Sequence, residues 1–165
     1  MRIQPIVTAA LVWMILGLAA CTVNESSGDG SVPIGPSVPF SVIAAGGSSG
    51  IASERLQVLR DESSFSALWA SHDLTLGPAN TEPSVDFGQE MVIAVFLGAK
   101  PSSGYSIDIS KIEDGPNNIA VTVSIGISRC LPVAQVITQP YMIVKTARSS
   151  KIVTFNESVQ VPNCQ

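Results

Sequence analysis

The residues best suited to acid–base chemistry are the single histidine, His72, and the aspartate beside it, Asp73. With one of the many serines they would supply the residue types of a Ser-His-Asp triad. The glycine-rich run 46–50 is not followed by a predicted helix, so no serine lies in the sharp strand-to-helix turn that exposes a nucleophile. A histidine at a helix end usually caps carbonyls or meets solvent. We therefore predict no catalytic residue and a non-enzymatic protein.

Metal and cofactor sites are also not predicted. A zinc site needs several His, Cys or carboxylate ligands, and this chain has one histidine and three cysteines. The adjacent carboxylates Glu113 and Asp114 precede a predicted turn, where solvation is the simplest expectation. The glycine-rich run 46–50 lacks the lysine and the following helix of a phosphate-binding loop. The expected cofactor and metal content is therefore none.

Charge and length limit the class of protein further. The chain has 165 residues, with 9 cationic and 13 acidic side chains, so its net charge is 9 − 13 = −4. This length fits one domain with a substantial core. An acidic chain has no basic excess to neutralise phosphates, so nucleic acid is not an expected partner.

The first twenty residues have the pattern of a secretory signal peptide. Arg2 precedes an apolar run from Ile6 to Leu18, which is short for a membrane span of roughly 20 residues. The sequence Leu-Ala-Ala-Cys that ends at Cys21 resembles the lipobox of bacterial lipoproteins. The resemblance implies cleavage before Cys21 and acylation of that residue, with chains such as palmitate anchoring the protein in a membrane. The alternative is an ordinary secreted protein cut after Ala20.

Sorting and tethering follow from the residues after Cys21. The next residue is Thr22 and not Asp, which favours the outer membrane by resemblance to the sorting rule of Gram-negative lipoproteins. The expected location is therefore the cell envelope. Residues 21–39 comprise the lipidated cysteine and a Ser-, Gly- and Pro-rich stretch, which predicts a flexible linker.

The two remaining cysteines, Cys130 and Cys164, favour an intramolecular disulfide, because an exported protein meets an oxidising setting. The bond would close the loop between these two positions and tie down the C-terminal end of the chain. Two buried thiols or an intermolecular bridge are the alternatives.

Residues 40–165 predict a mainly β domain, an antiparallel Ig-like sandwich with one short α-helix. The continuously apolar run 91–98 indicates a central strand covered on both faces. Runs 105–110 and 119–127 alternate apolar and polar residues, as in half-solvated strands, and a further strand is predicted over 135–145. The helix carries Phe65, Leu68 and Trp69 at core-packing spacing, with Asp61 or Ser63 as its N-cap. Trp69 as a ligand-stacking residue is the alternative.

Two loops are candidates for binding protein, because binding residues are often carried on loops at the ends of β-sandwiches. The first loop follows the central strand, and its residues are Pro101, Ser102, Ser103, Gly104 and Tyr105. The second loop interrupts the strand predicted over 135–145, and its residues are Gln139, Pro140 and Tyr141. Tyr141 belongs either to the core or beside the first loop. The alternative is that both loops only specify the fold.

These motifs, with the runs VDFGQEMVIAVFLGAKPSSGYSIDI and VITQPYMIV, resemble the PrcB C-terminal domain of the protease complex subunit PrcB family. The upstream FSALWASH fits the helix before that domain. The resemblance implies a lipoprotein that accompanies a bacterial surface protease, so the expected partners are a protease or another envelope protein.

A fainter similarity links the two loops to chagasin-type inhibitors of cysteine proteases, which carry N-P-T-T-G-Y and R-P-W loops. This chain has Lys100 where those proteins have asparagine. The predicted function is a membrane-anchored protein-binding module. The alternatives are a chagasin-like protease inhibitor and a structural lipoprotein without a specific ligand.

Overall fold

The computed structural model describes residues 35–72, 81–128 and 132–161. Within them the chain forms seven strands and one helix. In chain order they are β1 (Phe40–Gly46), β2 (Arg55–Leu59), α1 (Glu62–His72), β3 (Glu90–Phe96), β4 (Tyr105–Asp114), β5 (Asn118–Ile127), β6 (Tyr141–Ala147) and β7 (Ile152–Gln160). The predicted signal peptide, Cys21, Cys130 and Cys164 lie outside the described residues, as does most of the predicted linker.

The strands form two sheets. One sheet has the order β1-β6-β3-β2 and the other has the order β4-β5-β7. The expected mainly β sandwich with one short helix is confirmed. Neighbouring strands run antiparallel except for β5 and β7, which are parallel. The sequence-based expectation of an antiparallel sandwich is wrong for this pair. A parallel pair needs a long crossover, and here the chain passes through β6 in the other sheet between β5 and β7.

β3 lies in the middle of the molecule and is buried on both faces. Met91, Ile93 and Val95 pack into the core between the two sheets. Val92 and Phe96 point to the opposite face and pack against α1 in a second core. The predicted central strand is confirmed, because side chains alternate between the two faces of a strand and both faces here meet apolar layers.

α1 begins with a side-chain cap. The Oδ1 atom of Asp61 accepts a hydrogen bond from the Ser64 backbone N–H (2.9 Å), so Asp61 is the N-cap and not Ser63. Phe65, Leu68 and Trp69 are buried against the four-stranded sheet. The core-packing role predicted for Trp69 is therefore confirmed. No helix among the described residues is long and apolar enough to cross a membrane.

The beginning of β6 differs from the sequence-based expectation. The strand predicted over 135–145 begins only at Tyr141, and Thr138 and Gln139 make isolated bridges instead. Pro140 explains the late start, because proline has no N–H for a ladder bond. Pairing also occurs ahead of β1, since Ser37 forms an isolated bridge with Glu113 of β4.

The two ends of the sandwich carry different parts of the chain. At one end, which we call the tether end, the incoming chain pairs with β4 through a hydrogen bond from Val38 N–H to Ile112 O (2.8 Å). At the other end, which we call the loop end, lie the segments 46–50, 97–104 and 132–140. β4 runs from the loop end to the tether end.

Candidate functional site

The two loops predicted as binding elements are hydrogen-bonded to one another at the loop end. Lys100 and Thr138 exchange two backbone hydrogen bonds of 2.8 and 2.9 Å. The Thr138 hydroxyl donates to Ser102 O (2.8 Å). Ser103 N–H donates to Ala134 O (3.0 Å), and the Ser103 hydroxyl oxygen accepts from Ala134 N–H (3.0 Å). The chain that leads into the second loop therefore lies directly beside the first loop.

A third segment, the glycine-rich run 46–50, joins this cluster through Gln139. Gln139 N–H donates to Gly47 O (2.7 Å), and Gln139 O accepts from Ser49 N–H (3.0 Å). The side-chain Oε1 of Gln139 accepts from Gly50 N–H (3.0 Å). Gln139 therefore connects the second loop to the glycine-rich run 46–50. Its backbone N–H, its backbone oxygen and its side-chain Oε1 all make hydrogen bonds inside the cluster.

The glycine-rich run has the letters of a G-x-S-x-G motif, with Ser48 as its central serine. In hydrolases with that motif the serine sits on a sharp turn between a strand and a helix. Here the run leads from β1 to β2. The backbone context of a nucleophile elbow is therefore not present at Ser48.

The predicted binding residues divide into buried and exposed groups. Ser102, Gly104 and Pro140 are buried, while Pro101 and Ser103 are exposed. A side chain on Gly104 would lie 2.7 Å from Ser128 O, so the close approach of these two backbones requires glycine. The buried residues hold the shape of the loops, and the exposed ones are available to a partner.

The two tyrosines do not meet. Tyr141 is only 6% exposed, and its ring lies 4.3 Å from the His72 ring, centroid to centroid, in the core beneath α1. Tyr105 is half-buried against the other core, between the two sheets. Burial assigns Tyr141 to the core, and the alternative that placed its ring beside the first loop is wrong.

His72 is likewise part of the core. It is 1% exposed and is surrounded by the rings of Trp69, Phe96 and Tyr141. Of the two expectations for a helix-end histidine, capping of carbonyls or contact with solvent, contact with solvent is wrong here, because α1 ends against the aromatic layer of the sheet.

The carboxylates at the end of β4 are paired. Glu113 forms an ion pair with Lys111, and Asp114 forms one with Lys151. The expectation of simple solvation is therefore corrected. The described residues contain no group of three or more potential metal ligands among His, Cys, Asp and Glu.

Two exposed aliphatic residues at the loop end were missed by the sequence analysis. Ile137 is 76% exposed and Val136 is 53% exposed, directly before Thr138. They were assigned to a strand over 135–145. Adjacent residues of a strand face opposite sides of the sheet. The sequence therefore contained one indication that Val136 and Ile137 do not both point into the same core.

A groove of about 500 Å³ borders the first loop. It lies where β4 begins and where β5 and β7 end, and Tyr105, Gly126 and Gln160 are among its lining residues. No described residue that lines it is charged. The loop end therefore combines an uncharged groove with an uncharged aliphatic pair.

The described residues therefore define a two-sheet β-sandwich with a hydrogen-bonded loop cluster at one end. Residues 91–147 match the family model described as PrcB C-terminal, which confirms the family resemblance over β3 to β6. The similarity to chagasin-type inhibitors is not shown. The chain matches no curated protein and no solved structure.

Proposed function

We propose that this chain is a lipid-anchored, non-enzymatic protein-binding module that serves as an accessory subunit of a surface protease complex. The family match over residues 91–147 supports the protease-complex part, because the resemblance implies a lipoprotein that accompanies a bacterial surface protease. The lipobox that ends at Cys21 supports the anchor.

The observation that carries the proposal is the adjacency of the two loops at one end of the sandwich. Hydrogen bonds join residues 100–103 to Ala134 and Thr138. A surface that is ordered before binding loses less conformational entropy when a partner docks. The same surface presents Ile137 and Val136, and exposed aliphatic side chains gain free energy when a partner covers them.

Residues that are buried or hydrogen-bonded within the cluster through their side chains are not all expected to be contacts. Tyr141, Gln139 and Ser102 position the loops, whereas Pro101, Ser103, Val136 and Ile137 are the residues that a partner reaches. A structural lipoprotein would need the first group but not the second. The exposed group therefore separates the two functions in an experiment.

The test is affinity purification of the full-length chain from membranes after cross-linking in cells, with Ile137→Asp compared with Ile152→Asp. Ile152 is a matched control, since it is 73% exposed, against 76% for Ile137, and lies at the tether end of β7. We expect a protease to co-purify with the wild type and with Ile152→Asp, and to be lost with Ile137→Asp at an unchanged melting temperature.

Two results would contradict the proposal. Capture that is equal for both variants would mean that the loop end is not the contact and would favour the structural lipoprotein. Capture of a partner other than a protease, lost with Ile137→Asp, would retain the binding module but exclude the accessory role in a protease complex.

A further inference from the structure

We propose that the groove between β2 and α1, which we call the β2 groove, is a second binding site. It takes an extended, carboxylate-bearing peptide segment of a protein partner as an additional strand on the free edge of β2. This inference goes beyond the proposed function, because it uses none of the loop-end residues that the proposed protease contact requires.

β2 is an edge strand. It lies at the end of the order β1-β6-β3-β2, so β3 is its only partner among the described strands. The ladder bonds of an antiparallel pair use every second residue of a strand, so the other residues of β2 direct their N–H and C=O groups away from β3. Within the described residues, no isolated bridge and no loop hydrogen bond involves the backbone of residues 55–59. The outer side of β2 can therefore pair with an added strand.

The β2 groove has a volume of about 270 Å³. Its strand wall is formed by alternate residues of β2, namely Arg55, Gln57 and Leu59, and its helix wall includes Ala67 and Ser71 of α1. Alternate residues face one side of a strand, and residues four apart face one side of a helix, so each element presents a continuous wall. The groove therefore follows β2 along its length, as an extended ligand requires.

The other flank of α1 is covered by the chain itself. There the Ser66 hydroxyl donates to the Oε1 atom of Glu82 (2.7 Å). The Phe87 ring lies 5.9 Å from the Phe65 ring, centroid to centroid. The non-helical segment 82–87 therefore packs along this flank and places a carboxylate on it. The β2 groove is the corresponding flank on the opposite side of the helix.

The polar groups of the groove indicate the chemistry of its ligand. The hydroxyls of Ser64 and Ser71 already donate hydrogen bonds within the helix and its cap. Arg55 is exposed and forms no ion pair with another described residue. The Oε1 atom of Gln57 is buried without a hydrogen-bond partner among the described residues, which costs free energy. A carboxylate beside Arg55 and a donor beside Gln57 would satisfy both groups.

A second copy of β2 does not supply this chemistry. β2 has the sequence RLQVL and contains no carboxylate. Two β2 strands paired with each other would therefore leave both Arg55 side chains without an opposite charge from the added strand. An acidic segment of another protein fits the groove better than self-association.

The test measures fluorescence anisotropy of two labelled peptides, GTVTQTETG and its reverse GTETQTVTG, with the full-length chain in detergent micelles. As an antiparallel strand the first peptide places valine, glutamine and glutamate beside Leu59, Gln57 and Arg55, and the second does so as a parallel strand. We expect one of them to bind and to slow the hydrogen exchange of β2 amides. Replacing its glutamate by glutamine should weaken binding at least about tenfold.

Matched variants separate the β2 groove from the rest of the surface. Ala67 and Ala70 are both exposed on α1, but of the two only Ala67 lines the groove. Ala67→Tyr should abolish peptide binding and Ala70→Tyr should retain it, at equal melting temperatures. Arg55→Glu should weaken binding at least about tenfold. Lys111→Glu makes the same change of charge at an exposed position of β4 and should bind like the wild type.

Failure of both peptides to bind at about 1 mM would overturn the inference and would mean that α1 and Arg55 only shield the edge of β2. Binding without slower exchange of β2 amides would also overturn it, because no strand is then added. Self-association of the chain that Ala67→Tyr abolishes would make a second copy the occupant. Ile137→Asp should leave peptide binding unchanged, so this result is independent of capture at the loop end.

Discussion

Gly126 of β5 and Gln160 of β7 are directly paired, and they are the last pair in a parallel register that begins with Asn118 and Ile152. The offset between partners is constant, since 152 − 118 and 160 − 126 both equal 34. The positions of Cys130 and Cys164 have the same offset, since 164 − 130 is also 34. The pairing described for β5 and β7 ends at Gly126 and Gln160, before either cysteine.

The disulfide between Cys130 and Cys164, two residues outside the described part of the chain, stays a prediction that this equal offset motivates. We expect peptide mapping without reductant to yield a Cys130–Cys164 peptide. The double variant Cys130→Ser/Cys164→Ser should lower the free energy of unfolding by about 3–4 kcal/mol. Two free thiols in the exported protein would contradict the prediction.

Lipidation of Cys21 is a second prediction. Replacement by serine removes the thiol that carries the acyl chains, so Cys21→Ser should lose palmitate labelling and leave the membrane fraction. Ser27→Ala, in the same predicted linker, is the control and should retain both. An unmodified mature terminus in the mass spectrum of the wild type would show that the anchor does not exist.

Gly98 sets the direction of the chain as it leaves β3 for the first loop. Its φ is +73°, and an added Cβ would lie 2.8 Å from the Glu54 backbone nitrogen. Gly98→Ala should therefore lower the free energy of unfolding by at least about 1–2 kcal/mol and weaken partner capture.

Gly47 lies in the same loop cluster, has no positive φ, and would place an added Cβ in open space with no atom within 4 Å. Gly47→Ala is thus the control, and its melting temperature should be close to that of the wild type. Equal melting temperatures for the two variants would mean that the chain direction at Gly98 is not needed for stability.

The cap of α1 predicts a response to acid. Hydrogen bonds from the Ser63 hydroxyl and from the Ser64 backbone N–H lower the pKa of Asp61 below its ordinary value of 3.8. A lowered pKa in the folded state means that the ionised cap stabilises the fold above pH 3.8, and that this contribution is lost as the pH falls through the lower, folded-state value.

Asp61→Asn keeps a side chain that can cap the helix but has no carboxylate to titrate. Its melting temperature should be lower than that of the wild type at neutral pH and should depend less on pH in the acid range. The two proteins should converge in acid. A difference in melting temperature between the two proteins that stays constant across that pH range would contradict the role of the charge.

Local pattern was sufficient to predict the elements of this fold. The apolar run at 91–98 indicated a strand buried on both faces, since it contains no alternation of apolar and polar residues that would mark a solvent-exposed face. The helix followed from the spacing of Phe65, Leu68 and Trp69, and its beginning followed from a capping residue. These features depend on near neighbours along the chain, so they can be predicted from the amino-acid sequence.

Pairing between strands that are far apart in the chain decided which residues are exposed. Tyr141 and Ile137 are close in the chain, yet one is buried beneath α1 and the other is 76% exposed. Which one faces solvent depends on the strands that lie alongside, and residue spacing does not encode which strands become neighbours. The sequence by itself determined the strands, the helix and the two candidate loops. Only the tertiary structure decided that the loops join at the end opposite the linker, because contacts between residues far apart in the chain hold them there.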